Sequence, residues 1–150
     1  MKNLLSNLLN KEVIKINVKC MDWKDAIRKG SEILINKGFV EERYTEAILN
    51  NFEKFGPYMV IAPGMVLSHA RPEEGVKKLS MSLMTLKDPI EFGSEMNDPV
   101  KLIITLAAVD SEAHMKVIKK LMELLMNAED LNKLMNSEEV EEAIQMINKY

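Results

Sequence analysis

A chain of 150 residues, 47% hydrophobic and 29% charged, has the length and balance of one globular domain that needs neither disulfide nor metal to hold a core. That balance excludes collagen-like, low-complexity and disordered classes, and the single cysteine, Cys20, excludes an intramolecular disulfide or a cysteine-based zinc cluster. Its 20 basic and 23 acidic residues form no basic stripe, which argues against nucleic acid and leaves a protein or a small molecule as the natural partner.

The opening stretch MKNLLSNLLN breaks each short apolar run with Asn or Ser, unlike a secretory leader, and with the lone thiol it implies a reducing cytoplasm. Leu4, Leu5, Leu8 and Leu9 predict a helical turn. The period then changes: Ile14, Ile16 and Val18 alternate with Lys15, Asn17 and Lys19, as in a half-buried strand. Asp22 is a helix cap, Trp23, Ala26, Ile27, Gly30, Ile33 and Leu34 share one face, and Gly38 ends the helix. A second helix from about Glu41 buries Tyr44, Ala47, Ile48, Phe52 and Phe55 and stops at Gly56-Pro57. Strands follow at Tyr58 to Ala62 and Met65 to His69, separated by a Pro63-Gly64 turn, and a loop is punctuated by Pro72 and Gly75.

Leu79, Met81 and Leu83 alternate with Ser80 and Ser82 as another strand. Asp88-Pro89 and Gly93 to Pro99 read as an irregular connection with a short edge pairing at Ile90 and Phe92. Leu102 to Val109 is apolar on both faces, as in a central strand covered by helices, and is far shorter than the roughly 20 residues of a membrane-spanning helix. Asp110 or Ser111 caps a helix carrying Ile118, Leu121, Met122 and Leu125. Two more helices, about Asp130 to Met135 and Ser137 to Asn148, complete a single α/β domain over residues 1–150: three layers, with a mixed sheet of four or five strands flanked by helices.

Two histidines stand where such sheets mount chemistry. His69 lies where a strand runs out into a loop, and His114 lies in the first turn of the helix after the central strand. A loop histidine is either a hydrogen-bonding surface residue or a reactive imidazole. Arg71 is two residues on, so in extended chain it points to the same side and could grip a dianion with two N–H groups; the alternative is a solvated surface charge. The partial positive charge of a helix N-terminus disfavours imidazolium at His114 and favours a bound phosphate, while the plain alternative is a polar residue closing against Asp110.

Other motifs carry less. Lys29-Gly30-Ser31 lacks the earlier glycine of a P-loop and lies inside an amphipathic helix; no HExxH, EF-hand loop or GxGxxG occurs, so neither a metal site nor dinucleotide binding is expected. The 12 methionines, several at helical spacing in the C-terminal third, read as adaptable core filler.

The segments VIAPGMVLSHARPEEG, from Val60 to Gly75, and NDPVKLIITLAAVDSEAHMKVIKKLMELL, from Asn97 to Leu125, carry a family likeness. Through them the chain resembles the IIA component of the sugar phosphotransferase system, in the mannitol/fructose superfamily and nearest its ascorbate-type branch. The resemblance implies the IIA fold and a cytoplasmic phosphotransferase that works as a phosphohistidine carrier. His69 matches the phosphoryl acceptor, attacking through Nε2, and His114 matches the second active-site histidine. Phospho-HPr is the implied donor, a cysteine of the IIB component the acceptor, and the membrane IIC component the eventual destination. No cofactor, Mg²⁺ or nucleotide is implied, and a homo-oligomer is left open. The family's proline before the reactive histidine is replaced by Ser68, and the arginine that the mannitol branch carries in the preceding helix is replaced around Glu53, which leaves Arg71 as the expected phosphate partner. Alternative readings are a nitrogen-type regulatory IIA protein and a non-catalytic interaction module.

Overall fold

The computed structural model describes residues 3–150; Met1 and Lys2, part of the stretch compared with a secretory leader, lie outside the described residues. The chain runs α1 (Leu4–Leu8), β1 (Ile14–Val18), α2 (Trp23–Asn36), α3 (Arg43–Phe55), β2 (Val60–Ala62), β3 (Met65–Ser68), β4 (Ser80–Ile90), β5 (Val100–Ala107), α4 (Ser111–Leu125), α5 (Ala128–Met135) and α6 (Val140–Ile147), with 3₁₀ turns at Lys11–Val13 and Pro72–Glu74. Helix starts follow local chemistry. The Asp22 carboxylate accepts the Asp25 N–H at 2.8 Å to open α2, and Asp110 accepts the Ala113 N–H at 2.7 Å to open α4. Gly56, at φ 79°, ends α3 in a conformation that residues with a Cβ rarely adopt.

The five strands form one mixed sheet in the order β1-β4-β5-β3-β2. β1 is parallel to β4, β4 antiparallel to β5, β5 parallel to β3, and β3 antiparallel to β2. Side chains alternate across the sheet, yet Met81, Leu83, Met84, Leu102, Ile103, Ile104 and Leu106 are all buried, so both faces are covered. α2 and α3 pack together, with α2 crossing β4 and β5, while α1, α4, α5 and α6 touch in a closed ring of their own. The result is three layers around a central β4–β5 pair.

One row beneath α2 is polar. Ser82, Thr105 and Ser68 are register partners on β4, β5 and β3, and all three are buried. The Ser82 hydroxyl donates to the Gly30 carbonyl at 2.8 Å, but the hydroxyls of Ser68 and Thr105 have no partner among the described residues. Gly30 permits the close approach: a Cβ there would stand 2.9 Å from Thr105 Oγ1 and 3.4 Å from Ile103 Cγ2. Lys29-Gly30-Ser31 therefore belongs to helix-on-sheet packing.

Several expectations need correction. β4 does not stop before Asp88-Pro89 but runs through it to Ile90, which pairs with Val100 of central β5 and not at an edge. The β1 pairing ends at Leu86, so on that side nothing needs an N–H from Pro89. Tyr58 precedes β2 and His69 follows β3, each outside the strand assigned to it from sequence. Phe55 is not in the core: α3 ends beneath it and 61% of its surface is exposed. On α4 the buried residues are Val117, Leu121 and Leu124; Met115, Met122 and Met126 face outward, so they are not core filler. No described helix is long and apolar enough to cross a membrane.

Candidate active site

β3 and β5 are adjacent and parallel, in register from Met65↔Leu102 to Ser68↔Thr105, so their carboxyl ends emerge at one edge of the sheet. This is where open α/β sheets form their ligand crevices. His69, Ala70 and Arg71 follow β3; Ala108, the Asp110 cap and the first turn of α4 follow β5. A cleft of about 650 Å³ opens between these segments, and the end of α3 supplies its third wall with Asn51, Lys54 and Phe55.

The imidazoles of His69 and His114, distant in sequence, come together here with ring centroids 5.7 Å apart and planes tilted by 46°. His69 is half-buried, and its Nδ1 lies 2.9 Å from the carbonyl oxygen of Leu67 on the strand it follows. A carbonyl can only accept, so Nδ1 carries a proton, and in the neutral ring the lone pair is therefore on Nε2. The Tyr58 ring meets the His69 ring edge-on at 6.3 Å, and Phe55 meets Tyr58 in the same way at 6.1 Å. These contacts restrict how far the imidazole can swing.

His114 titrates below its ordinary value, first because burial penalises the charged ring and second because His69 lies beside it. The N-terminal end of α4, whose dipole points into the cleft, acts in the same direction. A neutral His114 can still donate one hydrogen bond to an anion. Arg71 is exposed and lines the cleft, and among the described residues no carboxylate forms an ion pair with it.

Sequence reasoning missed Lys54, Asn51 and Tyr58. Lys54 projects from the last turn of α3, with Nζ 5.3 Å from the centre of the Phe55 ring, and adds a second cation to the cleft. Glu53, at the position compared with the mannitol arginine, instead pairs with Lys24 at 2.9 Å. The spacing of Asn51, Lys54 and Phe55 on α3 was a usable signal, because residues three and four apart share a helix face. Ser68 presents its hydroxyl to the row under α2, away from the cleft. Among the described residues no group of three or more His, Cys, Asp or Glu could hold a metal ion.

The family model for EIIA 2 of the phosphoenolpyruvate-dependent sugar phosphotransferase system matches residues 7–150. The chain belongs to this family. Its members are phosphotransferase components, and the five-stranded mixed sheet flanked by helices is their mannitol-type IIA fold. Among curated relatives, the ascorbate-specific phosphotransferase-system EIIA component of Salmonella typhi is 41% identical over 147 residues, covering 97% of this chain and 96% of the relative. The protein of the same name from Escherichia coli is 40% identical over the same length. Among solved structures, the mannitol-specific cryptic enzyme IIA CmtB of Escherichia coli superposes with a TM-score of 0.89 at 33% identity, covering 97% of this chain and 99% of that one. A complex of mannitol enzyme IIA with phosphorylated enzyme IIB, from the same bacterium, matches with a TM-score of 0.84 at 26% identity, over 95% of this chain and 100% of that one.

Proposed function

We propose that this EIIA protein carries a phosphoryl group on Nε2 of His69, receiving it from phospho-HPr and passing it to a cysteine of a IIB component. The observation that carries the reading is the Nδ1 hydrogen bond to the Leu67 carbonyl, which leaves Nε2 as the nucleophilic atom beside His114 and Arg71. On transfer the N–P bond of the donor histidine breaks as a bond from Nε2 to phosphorus forms, and no proton need move. The phosphorylated ring keeps its Nδ1–H, and the Leu67 carbonyl oxygen stabilises the positive charge that develops there. A protonated ring is also a good leaving group, so the same hydrogen bond suits onward transfer to a thiolate.

The phosphoryl group brings roughly −1.5 to −2 charges. Arg71 and Lys54 answer them with cations, and His114 with one neutral donor. Exposed Phe55 and Tyr58 at the rim, 61% and 47% accessible, suit an apolar protein surface that seals the cleft during transfer better than a small polar sugar. The sugar itself never touches this IIA component in the relay. Ascorbate is the substrate we assign to the system, because the relatives bearing that name align at 40–41% identity over nearly the whole chain. The protein then works in the cytoplasm, between HPr and IIB.

Incubation with phosphoenolpyruvate, enzyme I and HPr should label the chain with acid-labile phosphate that maps to His69, and His69→Ala should stay folded and unlabelled. Undiminished labelling of His69→Ala would make the acceptor assignment wrong. Restoration of ascorbate uptake in cells lacking their own ascorbate IIA tests the substrate, and growth on mannitol alone would reassign it.

A further inference from the structure

The two histidines are brought together by strands whose direct pairing ends just short of them. The β3–β5 register stops at Ser68↔Thr105, yet His69 follows Ser68 by one residue and the chain beyond β5 must still be aimed so that α4 presents His114. At that point a side chain from a third element takes over. Tyr44, in the first turn of α3 and fully buried, donates its hydroxyl hydrogen to the Leu106 carbonyl at 2.7 Å and accepts the Ala70 N–H at 3.0 Å; the Ala70 carbonyl lies 3.2 Å away. Ala70 sits between His69 and Arg71, and Leu106 is four residues before the Asp110 cap of α4.

We propose that Tyr44 is a positioning residue for phosphoryl transfer, its single hydroxyl clamping the His69–Arg71 segment to the end of β5 and so setting the separation between His69 and His114. The proposal rests on the reading of His69 as the phosphoryl acceptor. Tyr44 touches neither imidazole and is not a catalytic residue; it acts through the backbone at Ala70 and Leu106. The hydroxyl is suited to the task because it donates to one strand end and accepts from the other at the same time, which no aliphatic or phenylalanine side chain can do. Burial pushes its pKa up to about 12, so it stays protonated at every pH at which the protein works. Packing of the ring fixes where the hydroxyl stands, since Tyr44 and Ile48 lie on the buried face of α3 and share the core with β5.

The test compares Tyr44→Phe with Thr45→Val. The Thr45 hydroxyl is 2.6 Å from that of Ser31, a buried link between α3 and α2 outside the cleft, so its loss weakens packing without touching either strand end. Tyr44→Phe should slow phosphorylation by phospho-HPr roughly ten- to a hundredfold, the scale expected when a reacting group shifts by about an ångström. In the same variant, NMR titration should show His114 moving up towards its ordinary value as the rings separate and the cleft loosens. Thr45→Val should lose thermal stability and change neither readout. A Tyr44→Phe protein that loses only thermal stability, with wild-type transfer and wild-type His114 titration, overturns the proposal. Should Tyr44→Phe fail to fold, the wild-type spectrum decides: a slowly exchanging Tyr44 hydroxyl proton in contact with the Ala70 amide upholds the clamp, and a freely exchanging one overturns it. The titration and exchange readouts need no phosphoryl transfer, so they judge the clamp even if His69 proves not to be the acceptor.

Discussion

Replacing Gly30 by alanine sets two opposing terms against each other at a place just behind the reactive strand. In a helix interior the exchange gains about 1 kcal/mol of propensity. Against this, the new methyl would stand 2.9 Å from Thr105 Oγ1 and 3.4 Å from Ile103 Cγ2. Thr105 lies on β5, hydrogen-bonded on one side to β4 and on the other to β3, so the strand cannot retreat, and its branched side chain has few rotamers to choose from. Overpacking of this kind costs about 1–3 kcal/mol, so after the propensity gain is subtracted the variant should be roughly 0–2 kcal/mol less stable than wild type.

Urea denaturation of a four-member cycle with Thr105→Ala isolates the clash. Thr105→Ala alone removes a methyl worth about 0.8 kcal/mol of burial, but it also removes a buried hydroxyl with no partner among the described residues, so its effect should be small. With the obstruction gone, Gly30→Ala should become neutral or stabilising, a coupling on the order of 1–3 kcal/mol between the two sites. Strict additivity would refute the argument, as would a Gly30→Ala single variant more stable than wild type. Labelling of His69 should survive in every folded member, because none of these changes reaches the cleft.

Arg71→Ala should slow transfer by the loss of a charge-assisted hydrogen bond worth about 1.5–3 kcal/mol, and leave the melting temperature unchanged; stopped-flow transfer beside a thermal melt separates the two, and normal transfer with a lower melt makes the residue structural. Arg71→Lys should recover only part of the rate, since an ammonium cannot grip two phosphoryl oxygens in a planar fork. His114→Ala should still accept phosphate, slowly, with the larger defect in transfer to IIB, measured by chasing the labelled protein with IIB; equal defects in both directions would remove the proposed role of the donor. Because folding lowers the pKa of His114, the unfolded chain binds more protons in the window below the ordinary histidine value, so stability should fall as pH drops from about 6.5 through the lower folded pKa, and His114→Asn should flatten that part of the melting profile.

Much of the molecule is legible residue by residue because its causes are local. A carboxylate three residues before a free N–H caps a helix wherever the chain goes, so Asp22 announces α2 from sequence, and Gly56 announces the end of α3. The alternation of Ile14, Ile16 and Val18 predicts a half-buried strand, and the doubly apolar run at Leu102 predicts a strand covered on both faces. The two-residue spacing of His69 and Arg71 likewise puts both at one strand exit. Where the local signal was ambiguous, at Asp110 or Ser111, the structure resolves it as Asp110.

What the tertiary structure alone decided are features that depend on which strands become neighbours. The 5.7 Å approach of His69 and His114 exists because β3 and β5 lie side by side in parallel, a pairing no local pattern encodes. Pro89 could stay inside β4 because the β1 partner had already ended and the pairing with β5 shifts register between Thr85 and Ile90, so a residue that reads as a break was harmless there. The cations of the cleft come from two separate segments, Lys54 from α3 and Arg71 from the loop, and the Leu67 carbonyl selects the histidine tautomer from a position that carries no side-chain signal at all. Tyr44 shows the limit most plainly: its spacing marks it only as a buried helix residue, while its hydroxyl meets two backbone groups brought to it by strands far along the chain. Periodicity reports which face of an element is buried; hydrogen-bond partners and charge neighbours follow only once distant elements have been packed together.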